Sequence, residues 1–152
     1  MTLNGVYRIP AARARVFAAL NDPVVLQRCI EGAERLVETA EDQYDVHLKV
    51  GIAAIKGSYV GKVRLTDKHP PEHFTLHVEG KGTPGFVRGS ARIRLGDRDG
   101  ATELTCAADG QVGGLLVAIG SRLVEATARK MMDGFFQRLS AEVEKREQGL
   151  TN

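Results

Sequence analysis

Residues 113–146, GGLLVAIGSRLVEATARKMMDGFFQRLSAEVEKR, form the stretch whose period decides the fold. Leu116, Ile119, Leu123, Thr127, Met131, Phe135, Leu139 and Val143 recur at three- or four-residue steps, which places them on one face of an α-helix. Arg122, Glu125, Arg129, Asp133, Arg138, Glu142 and Lys145 fall mostly on the other side. At a rise of about 1.5 Å per residue, a helix from Leu115 to Arg146 would be roughly 48 Å long, more than a helix hairpin in a domain of this size needs. It requires a wide cover, and the chain before it reads as antiparallel strands.

Working outward, Thr2 to Ile9 alternates with Leu3, Tyr7 and Ile9 on one side, as a first strand does, and Pro10 ends it. Ala11 to Leu20 has Val16, Phe17 and Leu20 at helical spacing and predicts a helix with Pro10 in its first turn. Asn21-Asp22-Pro23 stops that helix and starts another: Asp22 can cap, Pro23 suits the first helical position, and Val24 to Cys29 follows, closed by Gly32. Six further runs alternate with period two: Glu34 to Thr39, Gln43 to Lys56, Ser58 to Asp67, His73 to Lys81, Phe86 to Gly96 and Ala101 to Val112. Turn residues at Glu41-Asp42, Gly57, Pro70-Pro71, Thr83-Pro84-Gly85 and Asp99-Gly100 separate them. The fold class is therefore α+β, a seven-stranded antiparallel curved sheet in sequential order around a long C-terminal helix, with two short helices after the first strand. Residues 1–147 read as a single domain and 148–152 as a frayed tail.

The 152 residues can bury a substantial core without staples, and 43% hydrophobic with 26% charged residues is ordinary for a soluble domain. A net charge of +2, with cations and anions interleaved, argues against nucleic acid. Met1 to Arg8 lacks the apolar run of a signal peptide, and no window approaches the ~18 apolar residues of a membrane span, so a cytoplasmic location is expected. Cys29 and Cys106 have no zinc-like spacing and read as reduced buried thiols.

The inner face of the sheet is the most informative feature. It would carry Tyr44, Val46, Leu48, Val50, Ile52 and Ala54, then Tyr59, Gly61, Val63 and Leu65, then Phe74, Leu76 and Val78. Val87, Gly89, Ala91, Ile93 and Leu95 follow, and then Leu104, Cys106, Ala108, Gly110 and Val112. Glycine and alanine stand where a packed core wants bulk, which implies a closely seated helix, strong strand bending or a space left for a ligand.

At this point the element order resembles the helix-grip fold of the START and Bet v 1 (SRPBCC) superfamily, whose members hold hydrophobic ligands between sheet and C-terminal helix. Asn21-Asp22-Pro23 with Leu26, Cys29 and Ile30, Val50-Gly51-Ile52 with Ile55-Lys56-Gly57, Pro70-Pro71, and Gly80-Lys81-Gly82 through Gly85-Phe86-Val87 and Gly89 resemble the CoxG family, the G subunits of carbon monoxide dehydrogenase. Val112-Gly113-Gly114-Leu115, Gly120-Ser121-Arg122 and Phe135-Phe136 extend the resemblance over nearly the whole chain. It implies an accessory protein of molybdenum hydroxylases of the carbon monoxide dehydrogenase type, involved in membrane recruitment and in binding a quinone or similar lipid. Glu31 and Ala33 stand where the family commonly has Pro and Cys. Many members continue into a linker and hydrophobic anchor; this chain stops at Asn152, so contact at the inner face of the cytoplasmic membrane is expected to be peripheral at most.

Other motifs carry less. Gly80-Lys81-Gly82-Thr83-Pro84-Gly85 fits G-x-G-x-x-G as a string, but a strand rather than a helix follows, so it reads as a glycine-rich hairpin whose Phe86 could cover a pocket mouth. His47 and His77 lie on polar strand faces and His69 and His73 flank Pro70-Pro71 without a carboxylate at ligand spacing, so no metal is expected. Asp45, Glu79, Glu103 and Asp109 point outward, and no serine has a nucleophile-elbow context. Arg88, Arg92 and Arg94, extended by Lys62 and Arg64, form an outer basic ridge; most such ridges are solvated and paired, and the sharper reading is a docking surface for an acidic partner or anionic headgroups. Leu115 to Ile119 is apolar all round, the mark of a buried helix or of one that lines a pocket and presents an apolar edge to a membrane or partner.

The expectation is a non-catalytic protein with no covalently bound cofactor, binding a quinone- or lipid-like molecule at Val50, Ile52, Tyr59, Phe86, Ala91, Leu116, Ile119, Leu123 and Thr127. Its expected partners are that small molecule and molybdenum hydroxylase subunits, and a homodimer is compatible with the sequence. The rivals are a cyclase- or hydratase-like enzyme, which would need Tyr44, Tyr59 or Thr127 poised against a carbonyl, and an interaction module with a filled core.

Overall fold

The computed structural model describes residues 1–52, 55–147 and 149. Ala54, expected on the inner face, and most of the expected tail lie outside the described residues. The elements are β1 (Thr2–Ile9), α1 (Arg13–Leu20), α2 (Pro23–Cys29), β2 (Ala33–Ala40), β3 (Gln43–Val50), β4 (Gly57–His69), β5 (His73–Gly82), β6 (Gly85–Arg98) and β7 (Ala101–Gly113). A 3₁₀ helix (Gly114–Ile119) and α3 (Ser121–Glu147) complete them. The strands form one seven-stranded sheet in the order β1-β7-β6-β5-β4-β3-β2, antiparallel throughout. β2 to β7 are consecutive hairpins, as expected. β1 departs from sequential order: α1 and α2 carry the chain away from it, and it pairs with β7, Ile9 opposite Thr102 and Thr2 opposite Asp109.

Local chemistry explains the boundaries. Asp22 caps α2 by accepting a hydrogen bond from the Val24 amide at 2.9 Å, with Pro23 in the first turn. α1 begins at Arg13, so Pro10 stands outside it; the Ala11 amide donates back to the Ile9 carbonyl at 2.8 Å and the Thr102 hydroxyl donates to the Ala11 carbonyl at 2.7 Å, which holds this corner in a turn. β3 ends at Val50 rather than Lys56. Val50 pairs with Gly57, the first residue of β4, so Gly51 and Ile52 have no strand residue opposite them to satisfy their backbone.

The C-terminal helix is not continuous. Gly120, at φ +98°, separates the 3₁₀ helix from α3, a 27-residue helix of about 40 Å. Three residues per turn before the break and 3.6 after it cannot share one stripe. Leu123, expected inward, is 51% exposed, and Val124 is buried in its place.

The core fills one half of the sheet. Val16, Phe17, Val25 and Leu26 of the short helices pack with Leu139 and Val143 of α3 over Phe74, Ile93 and Leu104. Phe17 meets Phe74 edge-on at 5.5 Å between centroids, and Tyr7 stacks on Phe136 at 4.5 Å. The Arg138 Nε donates to the Cys29 carbonyl at 2.7 Å, and Arg146 pairs with Asp22 at 3.2 Å, which docks α3 on α2.

Candidate functional site

The other half of the sheet is furnished differently. On the inner faces of β5 and β7, a Cβ placed on Gly80 would meet only the Val60 carbonyl oxygen, at 3.9 Å, and one on Gly110 would meet only backbone, at 3.2 and 3.7 Å. At Gly89, between them on β6, the three nearest atoms are also backbone. The surrounding inward residues Val78, Val87, Ala91, Ala108 and Val112 are half-buried, whereas Phe74, Ile93 and Leu104 farther along the same strands are fully covered. A close-packed interior leaves no such uncovered floor, so this half of the sheet faces space.

Three connections meet at its rim. Gly57 lies against Pro84 of the β5–β6 turn. Gly85, at φ +137°, packs so closely on the Gly113 backbone that a side chain there would collide with the Gly113 carbonyl. Leu116, 1% exposed, sits under Gly85 with its Cγ 3.3 Å from that side-chain position. A pocket of about 520 Å³ opens at the same end of β3 and β4, its walls including Gly32, Ala33, Val50, Gly51 and Gly57.

Against this geometry the expected ligand residues divide. Val50, Tyr59, Leu116 and Thr127 are buried, and Ala91 is half-buried on the floor. Ile119, at the end of the 3₁₀ helix, is half-buried, as is Ile52, which lies in the β3–β4 connection rather than on a strand. Leu123 points to solvent. Phe86 is on the outer face, its ring against Gly113 and 5.7 Å from the Arg88 guanidinium, so it does not cover the inner space. Strand alternation requires this, because neighbouring Val87 points inward. Leu115 to Ile119 splits by side: Leu116 is buried, while Leu115 and Val117 are 71% and 63% exposed.

The polar groups are mostly committed to the fold. The Tyr59 hydroxyl donates to the Ile55 carbonyl at 2.6 Å and the Thr127 hydroxyl to the Leu123 carbonyl at 2.8 Å. Tyr44 lies in the closed core, and burial raises its phenol and that of Tyr59. One pair is invisible in the sequence: the Tyr7 hydroxyl donates to Asp133 at 2.6 Å, between β1 and α3. Burial, then the Asp133 carboxylate, hold this phenol well above its ordinary value. Tyr7 is legible as inward, but its partner lies 126 residues away, on what the helical period marks as the polar side. Asp67 also stands beside two histidines, 3.2 Å from His69 and 4.0 Å from His73, although no group suited to a metal occurs among the described residues.

Both cysteines are buried; burial pushes the Cys29 thiol up to about 12 and that of Cys106 to about 11. The neutral thiol is thus favoured in the fold, a contribution present below the ordinary thiol pKa and lost as pH rises through the raised one. At pH 8 the folded protein should react with DTNB at least about 100-fold more slowly than the urea-unfolded chain, as followed by absorbance. Rapid reaction of either thiol in the folded protein would contradict this packing.

No curated protein matches the chain. Among solved structures it is similar to a conserved protein from Geobacillus kaustophilus, at 36% identity and TM-score 0.92, over 95% of this chain and 96% of that one. It is also similar in fold to the Zhui aromatase/cyclase of Streptomyces sp. R1128 (14% identity, TM-score 0.71, 96% of this chain and 94% of that one). A protein from Mycobacterium smegmatis aligns at 14% identity and TM-score 0.72, over 95% and 92%. The fold is thus the helix-grip fold of the SRPBCC superfamily. The family model for the G subunit of carbon monoxide dehydrogenase (CoxG) matches residues 5–144, and the chain belongs to this CoxG family.

Proposed function

We propose that the chain binds one hydrophobic small molecule, quinone- or lipid-like, between the glycine floor of β5–β7 and the first half of α3. We further propose that it serves a carbon monoxide dehydrogenase-type molybdenum hydroxylase as a non-catalytic accessory. The observation that carries the binding part is the uncovered floor at Gly80 and Gly110, where no side chain comes within 4 Å of the place a methyl group would take. A space of this kind lined by valine and alanine favours an apolar occupant. The accessory part rests on the family, and the non-catalytic part on the Tyr59 and Thr127 hydroxyls being spent on backbone carbonyls.

Leu115, Val117 and Leu123, exposed beside the rim, offer an edge that dips into a bilayer and lets an apolar ligand pass without crossing water. The proposed contact is interfacial, made by this edge; no helix among the described residues is long and apolar enough to cross a membrane.

A short-chain menaquinone or ubiquinone analogue at about 100 times its Kd should stabilise the protein by about 2.7 kcal/mol, or roughly 5 to 11 °C in Tm. No shift with any quinone or fatty acid would sink the binding reading. Co-sedimentation with phosphatidylglycerol vesicles tests the edge: Leu115→Ser with Val117→Ser should abolish it, and unchanged sedimentation would rule that edge out.

A further inference from the structure

On the outer face of the sheet, Lys62 and Arg64 of β4 and Arg88, Arg92 and Arg94 of β6 are all exposed. The register places Lys62 opposite Glu79, which is opposite Arg88, and sets Arg64, His77 and Ser90 in the next row. With strands about 4.8 Å apart and about 6.6 Å per two residues, the five cations occupy a patch of roughly 10 by 20 Å. Among the described residues none of them has an ion pair or a side-chain hydrogen bond; Arg88 alone has a ring contact, over Phe86. Some cations elsewhere are paired, Arg28 with Glu142, Lys68 with Asp42 and Arg98 with Glu103. Others, such as Lys49, Arg122 and Lys130, have no ion pair among the described residues; what sets this face apart is that five unpaired cations gather on two strands of it. A depression of about 320 Å³ opens in this region, its walls including Asp45, Lys62, Arg64, His77, Glu79 and Arg88.

We infer that this outer face is a docking surface for an acidic protein surface, with partner carboxylates meeting the unpaired guanidinium groups. Five cations left without partners on one sheet face keep their hydrogen-bonding capacity for an outside acceptor, and the planar guanidinium suits carboxylates two oxygens at a time. The patch is not uniformly positive. Asp45 and Glu79 stand within it and Asp109 at its margin on β7, so it suits the separately spaced carboxylates of an acidic protein segment, which can meet the cations and avoid these acids, better than the dense, even charge of a bilayer or a nucleic acid. The identity of such a partner as an oxidoreductase subunit rests on the accessory reading above, whereas its acidic chemistry does not.

The test uses a fluorescein-labelled Glu-rich peptide, titrated with the full chain at low salt and read by anisotropy. Binding should weaken with salt and fall at least tenfold in the triple variant Arg88→Glu, Arg92→Glu, Arg94→Glu, checked for folding by circular dichroism. A control with the same charge change elsewhere, Arg122→Glu, Lys130→Glu, Lys145→Glu, should lose less than threefold. Equal losses in both triple variants would reduce the effect to net charge and overturn the inference, as would tighter binding of phosphatidylglycerol vesicles or duplex DNA by the same arginines. The outer-face variant should keep its full quinone-induced thermal shift, so failure here and failure of the ligand reading are separate results.

Discussion

Gly80→Leu should leave the protein folded while removing its stabilisation by an apolar ligand. The first added carbon fits, because a Cβ at Gly80 meets nothing but the Val60 carbonyl oxygen at 3.9 Å. The rest of the leucine enters the space above the floor, between Gly61 and Val87 in the register. Glycine weakens a strand interior through backbone entropy, so the substitution should be neutral or stabilising by up to about 1 kcal/mol. A ligand in that space must now displace the leucine or forgo its contacts. Affinity should fall at least about 100-fold, equivalent to about 2.7 kcal/mol, and a ligand concentration that raises the wild-type Tm by several degrees should leave the variant within about 1 °C of its ligand-free value. Val60→Leu, on the exposed outer side of β4, should bind as the wild type does. A folded Gly80→Leu protein with an undiminished shift would place the ligand elsewhere, and the 520 Å³ pocket at the end of β3 and β4 would be the next site to fill.

The two possibilities that the small inward residues leave open, bending or space, are separated only by seeing what lies above them. Alternation alone locates the strands, and Asp22-Pro23 locates α2, because those signals are local and each residue type acts through its own backbone. The departures share another origin. Val50-Gly51-Ile52 continues the apolar alternation, but a strand exists only where a neighbour pairs with it, and β4 begins at the residue opposite Val50. Gly120 lies within an apolar helical period, and its φ of +98° is a property of the turn it makes rather than of the pattern around it. Phe86 suggests a lid only while the hairpin is considered for its tip and not for the parity of Phe86 with Val87. Tyr7 with Asp133, and Asp67 with His69, are partnerships that the fold brings together and that no spacing announces. The basic ridge is legible as a row of cations, but that they lack partners is not, since pairing depends on where acids land across strands.

These differences give the two halves of α3 separate tasks. Leu139 is fully buried among the helices and sheet of the closed half, whereas Leu123 lies 51% exposed just past the Gly120 break. Leu139→Ala should therefore destabilise the protein by about 2–5 kcal/mol, because a packed interior collapses only partly around the lost atoms. For a domain of this length that corresponds to a fall of roughly 4 to 20 °C in Tm. Leu123→Ala, one of a pair that a single continuous helix would make equivalent, should change stability by no more than about 0.5 kcal/mol. Urea titrations of the two variants decide the matter: comparable losses would mean that Leu123 packs inward and the helix runs unbroken through Gly120. The expected asymmetry has a functional consequence, since a helix anchored through Phe136, Leu139 and Val143 can leave its first turns and the adjoining 3₁₀ segment to open at the rim without loosening the core. Ligand entry would then proceed by motion of residues 114–121 alone, and the closed half would supply the stability that this motion does not disturb.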